Sequence, residues 1–289
     1  MRFVEDGKLY LDQPVSTLLD EFNTGMHKDI TIFHLLTHTS GICPDPGYFM
    51  EPYVSGWWES YHNKIDKGEE ASWLKAILSG PVRCKPGEGW NYSTSGFSVL
   101  GEIVSRVSGV NCEDFIIEKI CRPLGMKETF FDIPEGLEHR VCVTNDWDSK
   151  RIKNEKPKTE MPPRTGGGLY STLADLNRLA QMLLNAGTLD GVRILGRKTV
   201  EAMTKNRLSG VPAFNWGEYE KDMKMGLGLA VRLTDLLSEG TFHHEGAGRS
   251  ALYVDPSERF SASFFVPTNE GWVPESLINA KSVMWSGLV

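Results

Sequence analysis

Between Thr31 and the Ser40-Gly41 pair, the apolar residues Ile32, Leu35 and Leu36 share one helical face, so the pattern predicts a short helix capped by Thr31. Phe97, Leu100, Val104 and Val107 repeat the spacing, and Gly109 supplies the left-handed residue that closes such a helix. A third stripe, Leu173, Leu176, Leu179/Ala180 and Leu183/Leu184, opens on the capping-box sequence Thr172-Leu-Ala-Asp175. The last third of the chain changes period. Residues 251–254 and 260–266 flank the turn Asp255-Pro-Ser-Glu258 and read as an antiparallel hairpin, with residues 225–233 expected as a neighbouring strand. Pro274, then Leu277, Ile278, Lys281, Met284 and Trp285, predict a closing helix. Helices in the middle and antiparallel strands late give an α+β architecture whose sheet needs helices on its apolar faces. The polar, breaker-rich stretch 144–168 should be loop.

The bulk numbers narrow the function more than the fold. At 289 residues, 40% hydrophobic and 24% charged, the chain has ordinary globular usage and can bury a sizeable core. With 38 acidic against 31 basic residues, a net charge of −7 and no basic run, it lacks the field that a nucleic-acid or anionic-membrane binder needs. Small-molecule partners fit better. Cys43, Cys84, Cys112, Cys121 and Cys142 are odd in number and show no CxxC pairing, which suits reduced, buried thiols rather than disulfides or a zinc cage. No segment has the length of a membrane span, and Met1-Arg2-Phe3-Val4-Glu5-Asp6 lacks the parts of a signal peptide. A cytoplasmic protein is expected from the sequence as written, with a signal peptide upstream of Met1 left open.

Several segments could carry chemistry, and each also has a plain structural role. Tyr92 stands in Lys85-Pro-Gly-Glu-Gly-Trp-Asn-Tyr92-Ser-Thr94, a turn before a helix that can expose a phenol or merely pack one. His243-His244-Glu245-Gly246-Ala247-Gly248 precedes the hairpin, where small residues let a ligand near the backbone or simply make a turn. His34 and His38, four apart, imitate a zinc pair, but Leu35 replaces the needed Glu, so hydrogen bonding at a helix end is the expectation and no metal is expected. Trp57, Trp58, Tyr61, Tyr48 and Phe49 form an aromatic-rich stretch that could line an acyl or aryl pocket or fill core.

Taken together and in order, five segments resemble the class C β-lactamase-like serine hydrolases, a family that includes penicillin-binding proteins, D-amino-acid peptidases, esterases and acyltransferases. They are Gly7-Lys-Leu-Tyr-Leu-Asp-Gln-Pro-Val, Ile30-Thr-Ile-Phe-His-Leu-Leu-Thr-His-Thr-Ser-Gly41, Pro86-Gly-Glu-Gly-Trp-Asn-Tyr-Ser-Thr-Ser-Gly-Phe, Gly166-Gly-Gly-Leu-Tyr-Ser-Thr-Leu-Ala-Asp175 and the His244-Glu-Gly246 strand. The resemblance implies an antiparallel sheet flanked by helices plus a mostly helical region. It places residues 1–289 in one domain, with a helical region of about 28–200 inserted between sheet-associated segments 1–27 and 201–289. It makes Tyr92 the residue that takes the nucleophile's proton and later returns it, and His244 the counterpart of the lysine on the strand of true β-lactamases. Thr94, Gly246 and Ala247 become substrate-binding positions, with the Ala247 N–H an oxyanion donor. No cofactor is implied. Thr94 stands where the family often has Asn and cannot offer an amide donor and acceptor together, so an ester suits the site better than a β-lactam or peptide.

The family's Ser-x-x-Lys motif has one match in the chain, Ser72-Trp-Leu-Lys75, on an expected surface helix and in the wrong motif order. The chain is therefore expected to begin after the nucleophile, with the N-terminal part of the family domain outside it. Two expectations follow: a hydrolase of esters, amides or β-lactam-like ligands through an acyl-enzyme whose nucleophile lies upstream, or a catalytically inactive homologue that binds a ligand or partner. Tyr92 and His244 should face one cleft, the 289-residue chain should show no covalent serine chemistry, and it should self-associate through an exposed sheet edge.

Overall fold

The computed structural model describes residues 1–48, 57–80, 82–143, 146, 149, 152, 161–231, 236–246, 250–267 and 274–288. They form two compact units, each drawn from separate stretches of chain. Among the described residues, no helix is long and apolar enough to cross a membrane.

The first unit comprises Met1–Phe115, Pro157–Gly166 and Asn206–Gly228. Its helices Ile32–Leu36, Trp73–Leu78 and Thr94–Ser108 surround a core that includes Val15, Leu19, Phe22, Ile30, Leu35 and Val99, all essentially solvent-free. Each such side chain contributes about 1.5–3 kcal/mol by leaving water. The first helix begins where Thr31 accepts the His34 N–H and His34 Nδ1 accepts the Thr31 N–H, a reciprocal cap. The longest, Thr94–Ser108, is capped by Ser93 and ends at Gly109 with φ 75°. A small hairpin, Ala213–Asn215 with Glu218–Glu220, joins this unit through a bridge from Ala213 to Trp90.

The second unit comprises Ile116–Lys156, Gly167–Lys205 and Leu229–Val289. Its antiparallel sheet runs Phe242–Gly246, Ser250–Asp255, Phe260–Phe265, with the middle strand paired on both sides. The expected 251–266 hairpin is thus present. Helix Leu173–Leu184 lies on this sheet, where Ser263 donates to the Leu173 carbonyl at 3.0 Å and Ser261 to Asn177 Oδ1 at 3.2 Å. Helix Pro274–Ser286 closes the unit: Trp285 is buried against Tyr253 and Phe260 and donates its indole N–H to Asp255 at 2.8 Å.

Several expectations are corrected. Residues 225–231 are not a strand, and 232–233 lie outside the described residues: the Met225 N–H goes to the Asn206 side chain, Gly228 turns at φ 77° with its N–H on the Leu36 carbonyl, and Ala230 makes an isolated bridge to His243. Gly228 supplies the turn freedom that an apolar run conceals. Helix Leu173–Leu184 buries Ala180 and Leu183 of the expected stripe together with Asp175 and Met182, and leaves Leu173 46% exposed. Asp175 turns inward because its carboxylate accepts the Glu128 N–H and the Thr129 hydroxyl, both at 2.8 Å. Residues 1–27 fall in the first unit and 167–205 in the second. Much of the expected 144–168 loop lies outside the described residues.

Candidate active site

The stretch 90–93 is non-helical, and bonds along it fix its path. The Trp90 N–H reaches the Pro212 carbonyl at 2.9 Å, the Asn91 N–H the His38 carbonyl at 2.9 Å, and Asn91 Nδ2 the Tyr48 carbonyl at 2.9 Å. Ser93 donates its N–H to His38 Nδ1 at 3.1 Å and its hydroxyl to the Cys43 carbonyl at 3.0 Å, while its Oγ accepts the Gly96 N–H as the helix cap. Tyr92 is carried between these anchors.

His38 stands past the end of its helix at φ 57°, a left-handed backbone uncommon outside glycine. That turn directs the ring back under the site, where it stacks on Tyr92 at 4.2 Å and on Phe97 at 5.0 Å between centroids. Because Nδ1 accepts from a backbone N–H, the neutral ring carries its proton on Nε2. His34 is thus part of the helix cap and His38 of the turn beyond the helix: each spends Nδ1 on a backbone donor, and His38 has left the helix face that four-residue spacing assumes.

Asp45 was not singled out by sequence reasoning, and it organises the site. Its N–H donates to the Tyr92 carbonyl at 2.8 Å, and its carboxylate accepts the Thr94 N–H at 2.9 Å and, through a short bond, the Thr94 hydroxyl. Placed at the start of Thr94–Ser108, that carboxylate also meets the positive end of the helix dipole. Burial nonetheless raises its pKa, against the two bonds from Thr94. The turn-rich Cys43-Pro-Asp-Pro-Gly47 was the available signal.

The Tyr92 phenol is pushed up to about 12, chiefly by burial, then by Asp45 and Tyr48. It is protonated at neutral pH. Thr94, with its O–H directed to Asp45, keeps only acceptor lone pairs for a ligand. Gly166 packs against this threonine so closely that a Cβ would fall 2.4 Å from Thr94 Cγ2.

The second unit supplies the strand residues. His243 stacks on Tyr253 and Glu245 accepts the Tyr253 hydroxyl, so these two share one face and His244 points to the other. Burial lowers the His244 pKa, with Glu245 opposing, so the imidazole is neutral at pH 7. Gly246 pairs with Ser250, whose Oγ would stand 2.8 Å from a Cβ there. Ala247 lies outside the described residues, as does Phe49. Tyr92 and Thr94 thus belong to the first unit, and His244 and Gly246 to the second.

The remaining candidates divide. Ser72 caps Trp73–Leu78 by accepting the Lys75 N–H at 3.4 Å, a structural use of its hydroxyl. Trp57 packs on the main core, Trp58 lies on His62, and Tyr61 is buried, whereas Tyr48 contacts Trp90, Tyr92 and Trp216. The aromatic stretch therefore separates into two groups. All five cysteines are unpaired; Cys43, Cys112 and Cys121 are buried, and burial pushes the Cys43 thiol up to about 12.

A family model described as Beta-lactamase matches residues 1–277. Protein Rv1367c of Mycobacterium tuberculosis is 30% identical over 290 residues, which cover 89% of this chain and 71% of that protein. Esterase EstB of Burkholderia gladioli is 32% identical over 142 residues, 45% of this chain and 34% of the esterase. A solved family VIII carboxylesterase superposes with a TM-score of 0.70 at 20% identity, covering 98% of this chain and 78% of that one.

Proposed function

This chain belongs to the Beta-lactamase family, and on that premise we propose that it is the tyrosine- and histidine-bearing part of a serine hydrolase that cleaves neutral esters in preference to β-lactams or peptides. One observation carries the preference: the Asp45 carboxylate takes both the N–H and the O–H of Thr94. The residue expected to hold a substrate amide therefore has no donor left, and a negative charge stands behind it. β-Lactams and C-terminal peptides present carboxylates, which need donors or cations; a neutral His244 supplies no fixed positive charge. A neutral ester avoids that penalty. Similarity to an esterase supports the same direction.

In this reading a serine hydroxyl outside residues 1–289 attacks the ester carbonyl. Its proton passes to the Tyr92 phenolate, the tetrahedral oxyanion collapses, and the alcohol leaves as Tyr92 returns that proton. Water then repeats the sequence on the acyl-enzyme. A phenol at about 12 is a poor base by itself. Each unit of depression takes about 1.4 kcal/mol of extra phenolate stabilisation, which an adjacent lysine ammonium supplies in the Ser-x-x-Lys motif. The family pattern assigns His244 the role of a neutral hydrogen-bonding group and the Ala247 N–H that of an oxyanion donor.

The structural use of Ser72 also supports a second reading, ligand binding without turnover. Fluorophosphonate labelling with peptide mass spectrometry separates the two. The 289-residue chain should stay unlabelled, and the product of the upstream-extended reading frame should label at a serine preceding Met1. Labelling at Ser72 would overturn the site assignment, and an unreactive extended product would favour the binding protein.

A further inference from the structure

Trp216 departs from what its backbone position asks for. It occupies the first turn position of the hairpin formed by Ala213–Asn215 and Glu218–Glu220, followed by Gly217, with φ values of 49° and 93°. A two-residue turn with both positions left-handed favours Asn-Gly or Gly-Gly, and a bulky side chain there is penalised. Burial does not repay the penalty, because the residue is 68% exposed.

The surroundings hold the indole in place all the same. The Trp216 backbone N–H donates to the Gly47 carbonyl at 2.7 Å, and the ring lies over Gly47, where a Cβ would come within 2.7 Å of Trp216 Cε3. The indole meets Tyr48 edge-on at 5.5 Å, and Tyr48 meets Tyr92 at 5.0 Å and 33°. A strained, exposed aromatic residue is thus joined through one ring to the candidate proton-transfer group. Backbone strain at an aromatic residue that stays largely exposed points to a role in ligand contact.

We propose that Trp216, with Tyr48, is a specificity-determining wall that stacks the aryl or other planar apolar portion of a neutral ester beside Tyr92; this rests on the reading of the Tyr92 region as an ester site. Two aromatic faces supply contact for a flat ring, and the Asp45 carboxylate near Tyr92 turns away anions. Trp216 is a determinant of which ester is accepted and takes no part in proton transfer.

The test uses ketones, so no nucleophile is needed. Phenylacetone, the non-hydrolysable isostere of phenyl acetate, is titrated into the 289-residue chain by ligand-observed NMR, with isobutyl methyl ketone as the aliphatic control. Trp216→Ala and Trp216→Asn should weaken phenylacetone by about threefold to tenfold and shift the aliphatic ketone less than about twofold, while Trp216→Phe keeps most of the aryl preference. Trp216→Asn suits the turn and should raise the unfolding midpoint, which separates a ligand role from a folding role. Equal weakening of both ketones, no weakening of either, no binding of phenylacetone by the unaltered chain, or a lower midpoint for Trp216→Asn with the preference intact would each overturn the proposal. An aryl preference that persists in an extended protein unable to turn over esters would instead fault the hydrolase reading and leave the wall standing.

Discussion

Asp45 sets two properties of its neighbours, and Asp45→Asn should change both. Losing the negative charge removes one of the causes that hold the Tyr92 phenol up, so its ionisation midpoint should fall below about 12 yet stay above the ordinary value of 10.0, because burial is the larger cause. Tyrosinate absorbance against pH, referenced to Tyr92→Phe, measures this; an unmoved midpoint would refute the coupling. Gly166→Ala should act through the same threonine. Its Cβ would meet Thr94 Cγ2 and the Thr94 carbonyl oxygen, so a destabilisation of about 1–3 kcal/mol is expected in denaturant unfolding. At this scale the sequence displayed Tyr92 and Thr94 through the family pattern but not Asp45, because the bonds from Thr94 cross 49 residues. His38 was visible only as half of a zinc-like pair, since a left-handed turn after a helix leaves no trace in spacing.

Helix Thr94–Ser108 carries Gly101 at a point where Pro163 Cβ and Thr165 Oγ1 would each lie 2.7 Å from a Cβ. Gly→Ala in a helix interior ordinarily gains about 1 kcal/mol. Here overpacking should reverse the sign, and Gly101→Ala is expected to lower stability by about 1–3 kcal/mol; a stabilised variant would show that 163–165 yields easily. The three helices read from periodicity are present, because capping residues and a closing glycine mark their ends locally. The failures share one cause. The path of residues 225–231 and the inward turn of Asp175 are decided by Asn206 and by Glu128 and Thr129, distant in sequence, and no window of hydrophobicity contains them.

Acid should destabilise the whole molecule through its histidines. Burial lowers the pKa of His27, His34 and His244 from 6.5, so the unfolded chain takes up these protons first as the pH falls. Their contribution is complete above pH 6.5 and is lost progressively below it. Asp45, raised from 3.8, works in the opposite sense in its own window above that value. The unfolding midpoint should therefore drop between pH 7 and pH 5, and a flat profile would contradict the burial of these rings. Among the described residues Phe260–Phe265 is an outer strand of its sheet, and an edge of that kind pairs readily with a second copy. Light scattering should show concentration-dependent self-association of the 289-residue chain that lysine at an edge position suppresses; a monodisperse monomer throughout would remove the edge from consideration. A Tyr92-dependent preference for neutral esters is the centre of the proposed chemistry, and turnover of p-nitrophenyl butyrate and nitrocefin by the upstream-extended protein measures it. Ester turnover should exceed β-lactam turnover and fall by about 10²–10⁴ in Tyr92→Phe, whereas faster nitrocefin hydrolysis, or ester hydrolysis indifferent to that substitution, would contradict it.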